Sequence, residues 1–173
     1  MAYGARLESV LGESPRGFES PILRQFHAFD CKSRLKSMFD RIDGLRTLVL
    51  GEPGSELQRR LNELVLSGKK TGTSSIDDGE YAAEQESFET VGERQWLLDE
   101  VGKPIALIEF TAIDWVPFKD VSWDFVVSEG EGFTSLEHWQ ESHKDFWSEY
   151  GINVNSDTEV ICYSFRVLEL VAR

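Results

Sequence analysis

From Ser55 to Gly68 apolar and polar positions recur with the period of a helix. Leu57, Leu61, Leu64 and Val65 share one face, Ser55 is placed to cap the start, and Gly68 breaks the end. A second such pattern runs from Ser135 to Tyr150, where Leu136, Trp139, Phe146 and Trp147 keep helical spacing; Thr134 or Ser135 is the N-cap and Glu137 lies in the first turn. A third, Leu35, Met38, Phe39 and Ile42, predicts a helix over 31–42 that stops near Gly44. Elsewhere the pattern turns to strands. Residues 93–99 and 104–115 are rich in β-branched and aromatic side chains, and Asp99-Glu100-Val101-Gly102-Lys103 between them suits a hairpin connection. Residues 158–171 predict a long closing strand, and 47–50 a short one before the turn Gly51-Glu52-Pro53-Gly54. Residues 118–127 read as a short helix or turn. Residues 1–30 mix Gly, Pro and Ser with scattered apolars and no sustained period; they read as an irregular N-terminal arm with one short helix around Ala5 to Leu11. The order helix, helix, strands, helix, strand lacks βαβ alternation, which favours an α+β fold with a small mixed or barrel-like sheet over 31–173.

Charge narrows the partners. The chain has 18 Lys and Arg against 31 Asp and Glu, a net charge of -13, so it is poorly suited to a long nucleic-acid duplex, whose affinity comes from basic side chains displacing counterions. The excess acid is uneven: residues 1–70 carry 12 basic and 9 acidic side chains, residues 71–173 carry 6 and 22. An anionic ligand is therefore expected near bases supplied by the first seventy residues. Three histidines and two cysteines are too few for a disulfide framework or a four-ligand metal cluster. His138 and His143 lie poorly on one helical face for a shared metal and read as surface or interhelical residues. No metal and no cofactor are expected. Residues 1–20 lack the apolar core of a secretory signal, and no apolar run reaches the ~18 residues of a membrane helix, so a cytoplasmic protein that does not engage membranes is expected. Cys31 and Cys162 would then be reduced thiols, Cys162 as a buried small hydrophobe.

After the helix that ends at Gly68 comes Gly68-Lys69-Lys70-Thr71-Gly72-Thr73, of the form G-x-K-x-x-T. It is not a phosphate-binding P-loop, which needs a preceding strand, an earlier glycine and a following helix. Downstream stand Val116-Pro117-Phe118-Lys119-Asp120-Val121 and Glu129-Gly130-Glu131-Gly132-Phe133-Thr134-Ser135-Leu136-Glu137-His138-Trp139. Together these motifs resemble the ASCH domain family of the PUA-like superfamily, its longer bacterial branch, from about Leu48 to Leu170. The resemblance implies a compact β-barrel flanked by helices with a cleft, and a link to RNA or modified nucleosides. Some members are assigned cleavage of single-stranded RNA; small members deacylate N4-acetylcytosine and its nucleoside with a Lys, a Thr and a Glu. By the same motifs those fall on Lys70, Thr73 and Glu131 as candidate catalytic residues, with Glu129 beside them. Ser75 stands where small members have Arg, and Gln140 where longer ones often have Arg; both losses weaken phosphate binding more than capture of a neutral base. Ser75 and Glu129, with Tyr81 and Trp123 as aromatic platforms flanking the motifs, are the candidate substrate-binding residues.

Lysine, threonine and glutamate can together hydrolyse an amide: a base for the nucleophile, a donor for the oxyanion and an acid for the leaving amine. Glu131 would take a proton from Thr73 or from water while cationic Lys70 stabilises the oxyanion. The same groups could serve a ribonuclease acting through a 2′-hydroxyl. Read without the resemblance, Lys70 is a solvated lysine at a helix C-terminus, Thr73 a strand-entry residue and Glu131 a compensating charge for the next helix. Three readings follow: a protein that binds a nucleobase, nucleoside or short single-stranded RNA, with amide hydrolysis of the N4-acylcytidine type open to it; a single-stranded-RNA ribonuclease; and a non-catalytic RNA-binding module.

Overall fold

In the computed structural model, residues 41–172 are described. The arm over 1–30, its short helix, the domain boundary at 30/31 and most of the helix expected over 31–42 lie outside them. Where that helix was to end, the backbone is instead a strand. β1 (Arg41–Ile42) and β2 (Leu45–Leu48) form an antiparallel pair joined by Asp43-Gly44, both at positive φ (52° and 81°). Asp-Gly favours the tight hairpin turn whose twist matches the strands, and that local preference overrides the helical spacing ending at Ile42.

Helix α1 (Glu56–Leu66) follows as expected: Ser55 Oγ accepts from Gln58 N (3.1 Å), and Leu61 and Val65 are buried. Gln58 and Asn62 are buried too, because their amides donate to the Leu98 carbonyl (3.1 and 2.9 Å), which pins the helix across the sheet end. At its C-terminus Gly68 N donates to Val65 O and Lys69 N to Leu64 O, the paired bonds of a Schellman motif, with Gly68 at φ 72°. This geometry reverses the chain into β3 (Gly72–Ser75). Next come α2 (Glu80–Glu84), β4 (Arg94–Leu98) and β5 (Pro104–Pro117), the last two joined by the expected hairpin, in which Asp99 Oδ1 accepts from Val101 N and Lys103 N. A 3-10 turn (Phe118–Asp120), α3 (Trp123–Glu129), α4 (Leu136–Glu149) and β6 (Glu159–Leu170) complete the order.

The six strands form one mixed sheet in the order β1-β2-β4-β5-β6-β3, with β2 and β4 parallel and all other pairs antiparallel. The fold is α+β, as the order of elements predicts. Its edge strands β1 and β3 do not pair with each other, so the sheet stays open and "barrel" describes it only loosely. Alternation along β6 divides the interior in two. Ile161, Tyr163 and Phe165 join a core with Leu61, Val65, Leu97, Ile108 and Phe110; Val160 and Cys162 join one with Phe118, Val126, Trp139 and Trp147. The indoles of Trp139 and Trp147 bring α4 onto the second face, each contributing roughly 4–6 kcal/mol of transfer free energy. Among the described residues no helix is long and apolar enough to cross a membrane.

Candidate functional site

Two segments some sixty residues apart in sequence meet beside β3. Thr71 N donates to Ser128 O (2.8 Å), and the Gly72 and Gly130 backbones make the approach possible. A Cβ at Gly72 would lie 2.3 Å from Ser128 Oγ, and one at Gly130 would lie 2.3 Å from the Lys69 carbonyl oxygen. Gly130 is also the left-handed cap of α3 (φ 69°). The glycine of E-G-E is therefore required twice over, by φ and by space.

This contact delivers Lys70 to Glu131. Lys70 is 1 % exposed and its Nζ donates to Glu131 Oε1 at 2.6 Å, with the Glu129 carbonyl oxygen at 3.5 Å. The Glu131 side chain is 18 % exposed, so the pair opens to solvent on the glutamate side. Arg60 holds the Glu131 backbone through its carbonyl (3.1 Å). A buried lysine costs several kcal/mol unless a carboxylate answers it, and Glu131 provides that answer.

Glu129 is buried as well, and both its oxygens are engaged by the protein. Ser74 Oγ lies 2.8 Å from Oε1, and Trp139 Nε1 donates to Oε2. Burial pushes its carboxyl up to about 7, with Glu131 adding to the rise while Lys70, Trp139 and Ser74 oppose it. The other side of the Ser74 hydroxyl faces His143 Nε2 at 3.2 Å. His143 Nδ1 donates to the Trp139 carbonyl (3.0 Å), and its ring stacks on the Trp139 indole at 4.2 Å. Burial pushes this imidazole down to about 4, against the raising effect of the Trp139 carbonyl and Glu131.

Of the expected residues, Lys70 and Glu131 are brought together and Thr73 is not. Thr73 pairs with Tyr163, and Ser74 with Cys162, so alternation turns the threonine toward the first core and the serine toward Glu129. Glu129 touches Ser74 and Trp139 and offers no free oxygen to a substrate. Ser75 lies on the Thr73 face and hydrogen-bonds Tyr163. Tyr81 is 6 % exposed, its hydroxyl donates to Glu89 (2.7 Å) and its ring packs on Phe88, so it is a core residue and no platform for a base. Trp123 opens α3 at 41 % exposure and keeps a surface a base could reach. Sequence reasoning missed Ser74 and Trp139 as site residues and placed His143 at a surface or between helices. The available signal was that Trp139 and His143 lie one helical turn apart on the helix following E-G-E. Among the described residues no group of three or more His, Cys, Asp or Glu could hold a metal. Cys162 is buried in the second core, its thiol pushed up to about 12 by burial and by Glu129 and Asp114.

A family model described as "ASCH domain" matches residues 48–169. Among solved structures, the chain is similar to a protein of Enterococcus faecalis V583, with 30% identity, a TM-score of 0.64, and coverage of 75% of this chain and 80% of that one. It is also similar to an ASCH domain from Lactobacillus crispatus JV V101, with 34% identity, a TM-score of 0.55, and coverage of 64% and 71% respectively. A search of curated proteins finds no match.

Proposed function

The chain belongs to the ASCH domain family, and on that premise we propose that it binds a modified nucleobase, nucleoside or short single-stranded RNA at Lys70 and Glu131 and hydrolyses an exocyclic amide of the N4-acylcytidine type. The observation that carries this reading is the 2.6 Å contact between a fully buried ammonium and a carboxylate open to solvent. Such a pair holds a fixed positive charge and a proton acceptor at one point, as amide hydrolysis demands. Water attacks the acyl carbon as Glu131 takes its proton, and Lys70 stabilises the oxyanion. The C–N bond then breaks as Glu131 returns the proton to the departing amine, leaving a free carboxylic acid and a free exocyclic amine. The orientation of Thr73 away from Glu129 supports water over the threonine hydroxyl as nucleophile. The Lys70 ammonium is already answered by the Glu131 carboxylate, which supports a neutral acyl group over a phosphodiester.

A panel of N4-acylated cytidines and single-stranded RNA, assayed with wild type, Lys70→Ala and Glu131→Ala, tests the proposal. Amide turnover that falls by roughly 10²-fold or more in both variants supports it. RNA cleavage lost in both favours the ribonuclease, and salt-sensitive RNA binding weakened only by Lys70→Ala favours the module. A wild type inert toward the whole panel overturns the site.

A further inference from the structure

The hydrogens around Ser74 do not balance unless the cluster holds one more proton than its ordinary ionisation gives. His143 Nδ1 faces the Trp139 carbonyl, which can only accept, so Nδ1 carries a hydrogen and Nε2 of the neutral ring is an acceptor. Ser74 has one hydroxyl proton and two neighbours that want it, Glu129 Oε1 at 2.8 Å and His143 Nε2 at 3.2 Å. With Glu129 ionised and His143 neutral, one buried acceptor goes without. With Glu129 protonated, every group is satisfied: Oε1–H donates to Ser74 Oγ, the serine donates to Nε2, and Oε2 accepts from Trp139.

We propose that Glu129 is a positioning residue that works as the neutral acid, sharing one proton with His143 through the Ser74 hydroxyl, so that Glu131 is the ionised carboxylate to which Lys70 commits. The positioning role rests on the function proposed above; the shared proton does not. An ionised Glu129 would place a second anion in the lysine's surroundings and draw the ammonium from Glu131. Transfer along the chain is balanced. The Glu129 proton passes to Ser74 Oγ as the serine proton passes to His143 Nε2, converting the neutral pair to carboxylate and imidazolium. Burial opposes that charged state, and the values of about 7 for Glu129 and about 4 for His143 keep the proton on the glutamate. The titratable groups facing Glu129 are Lys70 before β3, Glu131 after α3, His143 on α4 and Cys162 on β6.

Glutamine at 129 reproduces the protonated pattern, its amide donating to Ser74 and its carbonyl accepting from Trp139. The test therefore compares wild type, Glu129→Gln and Ser74→Ala by carboxyl-carbon and imidazole-nitrogen NMR across pH, and by the pH profile of N4-acetylcytidine turnover. We expect a Glu129 carboxyl that titrates near neutrality, with a His143 Nε2 signal that follows it and loses that step in both variants. Turnover in Glu129→Gln should stay within about threefold of wild type at acidic pH and lose the wild-type decline above neutrality, whereas an ill-positioned pair loses on the order of 10²-fold. A Glu129 signal that remains a carboxylate throughout, or a His143 that titrates independently of it, overturns the shared proton. Glu129→Gln turnover that falls at alkaline pH as wild type does overturns the positioning role. Wild type without turnover overturns the proposed function, and with it the positioning role, while the NMR still decides on the proton.

Discussion

The two faces of the sheet each bury a cluster of charge, and the clusters are built on opposite rules. On the first face Arg46 spans Glu93 with Nε and a terminal nitrogen (2.7 and 2.8 Å) and gives its other nitrogen to the Ser87 carbonyl (2.6 Å). Glu89 beside it receives the hydroxyls of Tyr81 and Tyr163 and the amide of Gln95. Donors there match acceptors, and Arg46 and Glu89 are buried, as a structural clamp requires. On the second face Lys70 has one carboxylate partner open to solvent, and one serine proton serves two acceptors. Burial of charge is common to both. What separates a candidate site from a brace is the open side and a network that closes only with an added proton.

The largest expected effect lies in the brace. Arg46→Ala strands Glu93 and Glu89 without their cation and should cost about 3–5 kcal/mol in urea unfolding. A loss below 1 kcal/mol would mean that the first cluster is no clamp. On the second face, pH separates Glu129 from His143. Glu129 is raised from 4.5 to about 7, so the native protein binds more protons than the unfolded chain between those values and its stability falls as pH rises through them. His143 is lowered from 6.5 to about 4, the native protein binds fewer protons there, and stability rises with pH over that range. Each shift is on the order of 3 kcal/mol and the two oppose, so wild type should be nearly flat between about 4.5 and 6.5. Glu129→Gln should unmask the rise and His143→Gln the fall, read as urea midpoints across pH; parallel profiles for all three proteins would defeat the comparison. Tyr81→Phe is the smallest change. Glu89 keeps Tyr163 and Gln95, so stability should drop by about 1 kcal/mol, and the turnover proposed for Lys70 and Glu131 should be untouched.

Periodicity made the long elements legible. Leu61 and Val65 in α1, Trp139 and Trp147 in α4, and the β4–β5 hairpin with β6 all stand where their spacing put them. It failed where elements are short or polar. Arg41–Ile42 is too brief to alternate, Gly-Thr-Ser-Ser in β3 has no apolar face, and α2 spans five residues. The parallel partnership of β2 with β4 left no trace, because pairing is decided by the whole sheet and not by either strand. At the site, the resemblance singled out Lys70 and Glu131, which the fold joins. Ser74 and His143 were invisible because their meeting depends on the register of β3 against β6 and on the rotation of α4, neither of which local spacing encodes. Tyr81, a candidate aromatic platform from its place beside the motifs, is drawn into the core by Glu89, a buried partner that nothing in its neighbours announces.

The loop that carries Lys70 is tied by its Thr71 backbone to two later segments, the amide to Ser128 and the carbonyl to Phe165 N (2.8 Å each). This gives the site a history as well as a geometry. During synthesis the lysine emerges long before its glutamate, and longer still before the last strand that clamps its loop. Contacts so far apart in sequence form late, since the chain must close large loops before they repay the entropy. A nascent chain therefore carries the complete G-x-K-x-x-T motif before its lysine has a partner, and the loop that presents Lys70 to Glu131 is clamped only when β6 docks.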